Sequence, residues 1–183
     1  MSVEDTPRPR CSVFIAVSLD GHIARKDGGI DWLSIVETPD EDYGYARFFA
    51  AVDALVLGRG TYDTVRGFPA WPYGDKRCVV LAHNPPETQH GETFHAGPPA
   101  PLLERLHTES VRRVYVDGGA VIRQFLSDGL IDDITLSIIP VILGDGIRLF
   151  DGGGPGRRLR MQASQAFASG LVQLTYAVTR DPI

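Results

Sequence analysis

Two glycine-bearing turns carry the clearest chemistry in this sequence. Gly58-Arg59-Gly60-Thr61 follows the apolar run ALVL, and Asp117-Gly118-Gly119 follows RVYV. In an open α/β sheet, ligands bind beyond the carboxyl ends of the strands. A glycine there lets the backbone approach a phosphate, and the start of a following helix offers unpaired N–H groups. Arg59 can grip a phosphate bidentately, and Thr61 adds a hydroxyl donor. Gly118 and Gly119 admit a pyrophosphate or a nicotinamide ring against the chain, close to the positive end of a helix. Neither turn is a full GxGxxG fingerprint, so a standard dinucleotide-binding half-fold is not indicated. Each taken alone also reads as a plain tight turn. Two in equivalent places point to a nucleotide.

A third segment, Ser18-Leu19-Asp20-Gly21-His22-Ile23-Ala24, stops a strand at Asp-Gly and resumes with Ile-Ala. It can run along a flat ligand, with Asp20 near its edge, or be an ordinary turn. The five histidines (22, 83, 90, 95 and 107) show no metal-ligand spacing, so no metal is expected. The chain has neither a G-x-S-x-G elbow nor a Walker loop.

These residues need elements to hold them. CSVFIAVS (11–18), ALVLG (54–58), RCVVLA (77–82), RVYVDG (113–118) and ITLSIIPVIL (134–143) read as buried strands. Thr38-Pro39 reads as a helix start, with Tyr45, Phe48, Phe49 and Val52 on one face up to about Val52. Residues 67–75 read as loop, and the stretch after Asn84 as connection with one short strand near Phe94. Helices fit 100–109 and 120–127. Two alternating stretches around Ser169-Gly170 read as a hairpin. Strands alternating with helices predict an α/β fold: a mainly parallel twisted sheet flanked by helices, closed by a carboxy-terminal antiparallel hairpin. Residues 11–183 form one domain in this reading, behind a flexible lead-in of residues 1–10.

With 183 residues, 43% hydrophobic, 22% charged and a net charge of −5, the chain reads as an ordinary globular protein. That charge gives no footprint for nucleic acid or an anionic membrane. No apolar run reaches the ~20 residues of a membrane span, and MSVEDTPRPR has no signal-peptide core, so a cytoplasmic protein is expected. Cys11 and Cys78 lie in apolar runs and read as reduced, buried thiols.

The runs FIAVSLDGHIA, DALVLGRGTYDT, CVVLAHNP, VYVDGGAVIRQFL and IDDITLSIIPVILGDGIRLF, in this order, resemble the dihydrofolate-reductase-like superfamily. Within it the resemblance is to the carboxy-terminal reductase domain of the bifunctional riboflavin-biosynthesis enzyme. It implies NADPH as cofactor, with Arg59 favouring the 2′-phosphate and Gly58, Arg59 and Thr61 holding phosphates. Ala16 and Ile23 would lie against the nicotinamide, and Gly118, Gly119, Ala120 and Val121 would pack under it and the pyrophosphate. Trp32 would sit on a loop closing over substrate, and a homodimer is implied.

Dihydrofolate reductases also carry a carboxylate early in the first helix. Sixteen residues before Gly58 stands Asp42, whereas the count from Trp32 reaches Glu37. Asp42 shares a helical face with Tyr45 and Phe49, which can stack a flat heterocycle. A carboxyl among aromatics has a raised pKa, suited to a proton donor. Asp40, Glu41 and Asp42 also read as first-turn acids complementing the helix dipole. The expectation is an NADPH-dependent reductase of a small heterocycle, resembling 5-amino-6-(5-phosphoribosylamino)uracil reductase. The alternatives are a dihydrofolate or pterin reductase, and an NADPH-binding module without turnover.

Overall fold

Residues 7–152 and 154–182 are described by a computed structural model. Strand β1 (Arg10–Ser18) turns at Asp20-Gly21 into the short β2 (His22–Ala24). A 3-10 helix (Asp31–Val36) leads to α1 (Tyr45–Ala50). Three parallel strands follow with a single helix among them: β3 (Ala54–Gly58), α2 (Arg59–Arg66), β4 (Arg77–Leu81) and β5 (Thr93–His95). After α3 (Pro99–Thr108) come β6 (Arg113–Asp117), α4 (Gly119–Ser127) and β7 (Asp133–Ile139). The chain ends with β8 (Ile147–Arg148) and the hairpin of β9 (Arg157–Ala166) and β10 (Val172–Pro182). The main sheet has the order β5-β4-β3-β6-β1-β7-β10-β9, while β2 and β8 form a separate pair. The contacts from β5 to β7 are parallel, and β10 joins antiparallel to β7 and β9.

Alternation along the central strands explains why both faces are covered. Ala54 and Val56 of β3, with Val114 and Val116 of β6, point into a core built with α3 and α4 around Leu102, Leu106, Ile122 and Phe125. Leu55, Leu57 and Tyr115 point the other way, onto Phe48 of α1, Val52 just after it, and Tyr62 and Val65 of α2. Cys11 lies in the first of these cores and Cys78 in the second; both are free, and burial pushes each thiol up to about 12.

Two expectations need correction. The loop read at 67–75 is only the second half of the connection from ALVLG to RCVVLA; α2 fills the first half, so β3 to β4 is an ordinary βαβ crossover. The first long helix does not begin at Thr38-Pro39. Thr38 instead bridges to Glu41, and Gly44 takes φ +80 just before the six-residue α1.

At the opposite end of the sheet from the glycine turns, Asp132 and Asp133 organise a charge network. Arg8 donates to both carboxylate oxygens of Asp132 at 2.8 and 2.9 Å, and Arg10 opens β1. The described end of the lead-in is thus held to the sheet, while residues 1–6 lie outside the described residues. Buried Asp133 accepts from Arg10 Nε (2.6 Å), Ser12 Oγ (2.9 Å) and Arg113 Nη2 (3.3 Å). In the glycine-rich run 151–158, Gly153 lies outside the described residues and Arg157 and Arg158 begin β9. Among the described residues, no helix is long and apolar enough to cross a membrane.

Candidate active site

The two glycine turns meet because β3 and β6 are neighbours in register, Leu57 opposite Asp117. Gly58 precedes α2 and Gly118 precedes α4, so two helix N-termini open on the same place. Gly118 has φ +99, and a Cβ there would fall 2.5 Å from Thr61 Oγ1. A Cβ on Gly119 would come 2.7 Å from Ile23 Cδ1. Only glycine serves at 118, through both its backbone and its surroundings.

These turns form the floor of a cleft of about 1050 Å³. Ala16, Ile23, Gly58, Arg59, Thr61, Gly118, Gly119, Ala120 and Val121 all line it. Leu81, Ala82 and His83 border one end, with His95 and Gly97 beside them. Arg59 is oriented by Asp63, to which its Nε donates at 2.8 Å, and by the Asn84 carbonyl, which accepts from Nη1 at 2.9 Å.

The residues expected around the substrate divide. Tyr45 lines the cleft. Phe49 stacks behind it, ring centroids 5.7 Å apart, with Tyr73 on its other side. Trp32 is only 3% exposed and packs with Val36, Ile139 and Leu171; its neighbours Ile30 and Leu33 are the ones that reach the cleft. Asp20 is a structural tie rather than part of the lining. Its carboxylate accepts from Ser18 Oγ (2.6 Å) and from the Leu143 and Gly144 amides (3.1 and 2.7 Å). Those bonds, that from Ser18 foremost, hold it well below the usual carboxylate range.

Asp42 is corrected too. It is exposed, and its two oxygens accept from the Ala46 amide (2.8 Å) and the Gly44 amide (2.9 Å). These bonds lower its pKa, contrary to the expected rise, and it is absent from the cleft wall. It also stands ahead of the first turn rather than in it, three residues before α1, where its carboxylate accepts amides at the helix start.

Two carboxyls line the cleft, Asp27 on the loop after β2 and Asp117 beside the aromatic side chains. Asp27 is exposed and its Oδ1 accepts from the Gly29 amide at 2.9 Å, so Asp117 is the one placed for chemistry. It ends β6, half-buried, and Oδ1 accepts from the Gly118 amide at 2.8 Å. Burial pushes it up to about 6, against the opposing pull of that amide and the Tyr115 hydroxyl. Around it stand Phe14, Tyr45, Tyr73 and Tyr115. Phe14 meets the Tyr45 ring edge-on at 5.6 Å, and the Tyr115 hydroxyl donates to the Phe14 carbonyl at 2.9 Å. Sequence reasoning treated Asp117 only as the residue before two glycines; its place at a strand's carboxyl end was the signal that marked it out.

With this geometry the relatives can be compared. The RibD C-terminal domain family matches residues 75–173. The uncharacterized Bacillus subtilis protein YwjB is 39% identical over 168 residues, 90% of this chain and 95% of that protein. The chain belongs to the RibD C-terminal domain family. Its fold is the dihydrofolate-reductase-like fold of that group. The structure of a candidate riboflavin biosynthesis protein from Shewanella sp. PV-4 is similar over 93% of this chain and 99% of that one, with TM-score 0.87 and 34% identity. The Thermotoga maritima diaminohydroxyphosphoribosylaminopyrimidine deaminase/5-amino-6-(5-phosphoribosylamino)uracil reductase shares the fold at TM-score 0.71 and 15% identity. That likeness covers 94% of this chain and 57% of the Thermotoga protein. Members of the RibD C-terminal domain family are riboflavin-pathway reductases or resemble them, and this member has a glycine-floored cleft with Asp117 beside its aromatic side chains.

Proposed function

We propose that this RibD C-terminal domain protein is an NADPH-dependent reductase of a small, flat heterocycle, with Asp117 as its proton source. The observation that carries this reading is the position of Asp117, at the join between the glycine cradle and the aromatic wall of one cleft. The cradle fits a dinucleotide: Gly118 and Gly119 let the chain pass close under Thr61 and Ile23, where a Cβ would collide, and the N-termini of α2 and α4 offer N–H groups to a pyrophosphate. Gly58, Thr61, Gly118 and Gly119 would hold the phosphates, Ala16, Ile23, Ala120 and Val121 the nicotinamide, and Arg59 the 2′-phosphate. When bound, NADPH supplies a hydride.

The chain's own part is to position, to dry and to protonate. Phe14, Tyr45 and Tyr115 present a water-poor wall against which a flat ring can lie. Asp117, neutral below about pH 6, holds its proton on a carboxyl facing that ring and releases it to the atom that gains electron density. Burial makes the proton available near neutrality, which an exposed carboxyl in the ordinary range does not achieve. The test is Asp117→Asn in a reductase assay over a panel of pyrimidines, pterins and related rings. Loss of NADPH oxidation with NADPH affinity intact supports the reading; undiminished turnover rejects Asp117 as proton source.

A second copy of the chain is the partner we propose for the outer hairpin. β9 forms the edge of the sheet and is exposed along nearly all its length, with Leu159 41% and Met161 52% exposed. An exposed strand edge is a template for pairing, and a two-fold axis satisfies two such edges at once. Sedimentation equilibrium should give a dimer that Met161→Lys dissociates. A wild-type monomer at micromolar concentration rules this out.

A further inference from the structure

The two ends of the cleft differ in chemistry. One is backbone: Gly58, Gly60, Gly118 and Gly119 at two helix starts. The other is aromatic: Phe14, Tyr45, Tyr73 and Tyr115, with Asp117 at the join. At the aromatic end Tyr73 and Tyr115 are 4% and 5% exposed, so they act as fixed walls. Tyr115 directs its hydroxyl to the Phe14 carbonyl. The hydroxyls of Tyr45 and Tyr73, by contrast, have no hydrogen-bond partner among the described residues and are not sealed from the cleft. Two phenol donors and one carboxyl thus face a slot between aromatic rings.

Cations are arranged in the opposite sense. Three Arg or Lys side chains line the cleft, and each faces a carboxylate: Arg59 with Asp63 at 2.8 Å, Arg123 with Asp151 at 3.1 Å, and Lys26 with Asp145. They come from the start of α2, from α4 and from the loop after β2, not from the aromatic end. Two further cations lie behind the aromatic wall. Lys76 sits over the Phe49 ring and donates to the Val52 carbonyl, and Arg113 sits over Phe48. A phosphate at the aromatic end would face ring π-clouds and the Asp117 carboxyl, with no cation to replace its water.

Resting on the reductase reading above, we infer that the substrate is a small uncharged flat ring that carries no phosphate. Its carbonyl oxygens accept from Tyr45 and Tyr73, and its face lies on the aromatic wall. This departs from the phosphoribosyl compound in the name of the Thermotoga protein.

The test uses the full chain saturated with NADPH, which fills the cradle and leaves the aromatic end open. Two matched pairs serve as probes, uridine with uridine 5′-monophosphate and riboflavin with riboflavin 5′-phosphate, titrated by ligand-observed NMR. At least one unphosphorylated ring should bind about ten-fold or more tightly than its phosphorylated partner, and Tyr73→Phe should weaken that ring several-fold while leaving NADPH affinity unchanged. Equal or tighter binding of the phosphorylated members overturns the inference, as does binding of neither ring. If NADPH fails to bind in a fluorescence titration of the same sample, the reductase reading fails. The ring preference is then read on the protein without nucleotide, with Tyr73→Phe locating the site.

Discussion

Arg59 enters the cleft already paired with Asp63, one turn further along α2, through contacts of 2.9 and 2.8 Å to its two carboxylate oxygens. Arg66 approaches the same carboxylate at 3.9 Å. An anion arriving at Arg59 therefore meets Asp63 as well, and part of the attraction is cancelled. The preference for a 2′-phosphate should be modest for that reason. Asp63→Asn should tighten NADPH binding about three- to ten-fold and leave NADH nearly unchanged, since NADH lacks the second charge. Arg59→Ala should remove the preference. Nicotinamide fluorescence titrations of the three proteins read both effects, and a preference untouched by either substitution would place the 2′-phosphate elsewhere.

Asp117→Asn should lower turnover by about 100-fold or more if the carboxyl is the proton source. The pH profile carries the sign. The acid must be protonated, so wild-type activity should fall as pH rises through about 6. Stability follows the same direction. The folded pKa lies above the ordinary 3.8, so this group's contribution is full below that value and is lost as pH rises through about 6. The Asn variant, uncharged throughout, should gain in melting temperature relative to wild type above pH 6. A pH-independent difference between the two proteins would show that the carboxyl does not titrate there.

Asp42→Ala tests the opposite assignment. This residue accepts two amides at the start of α1, so its loss should lower the melting temperature by about 2–4 °C. Turnover and NADPH affinity should stay within about two-fold. A collapse of turnover without loss of stability would return Asp42 to the chemistry.

Asp133→Ala should be the most destabilising of these changes. It removes the shared acceptor of Arg10, Ser12 and Arg113 from a buried position, which costs about 2–3 kcal/mol. Urea unfolding should show the midpoint falling with the slope retained. An unchanged midpoint would mean that the network contributes nothing.

Much of this is legible in the sequence. The runs that became β1, β3, β4, β6 and β7 are continuous because both faces of the sheet are covered, and the two glycine turns were found at their carboxyl ends. Local pattern failed where a few polar contacts decide. Asp42 looked like one member of an aromatic helical face. It became a cap because Gly44, at φ +80, breaks the chain between it and Tyr45. Trp32 was hidden by its own size: a loop tryptophan reads equally well as a lid or as an anchor, and burial against Ile139 and Leu171 decides for the anchor. Asp117 was missed because its significance depends on Phe14, Tyr45 and Tyr73, which reach it from distant parts of the chain.

The strand order also sets a timetable. β1 lies between β6 and β7, whose residues begin at Arg113 and Asp133, so the first strand to be synthesised must wait for two of the later ones. Until Val114 and Ile134 have left the ribosome, Val13, Ile15 and Val17 have no neighbouring strand to pair with. The nascent chain thus carries an adhesive segment through most of its translation, and the central part of the sheet can close only late.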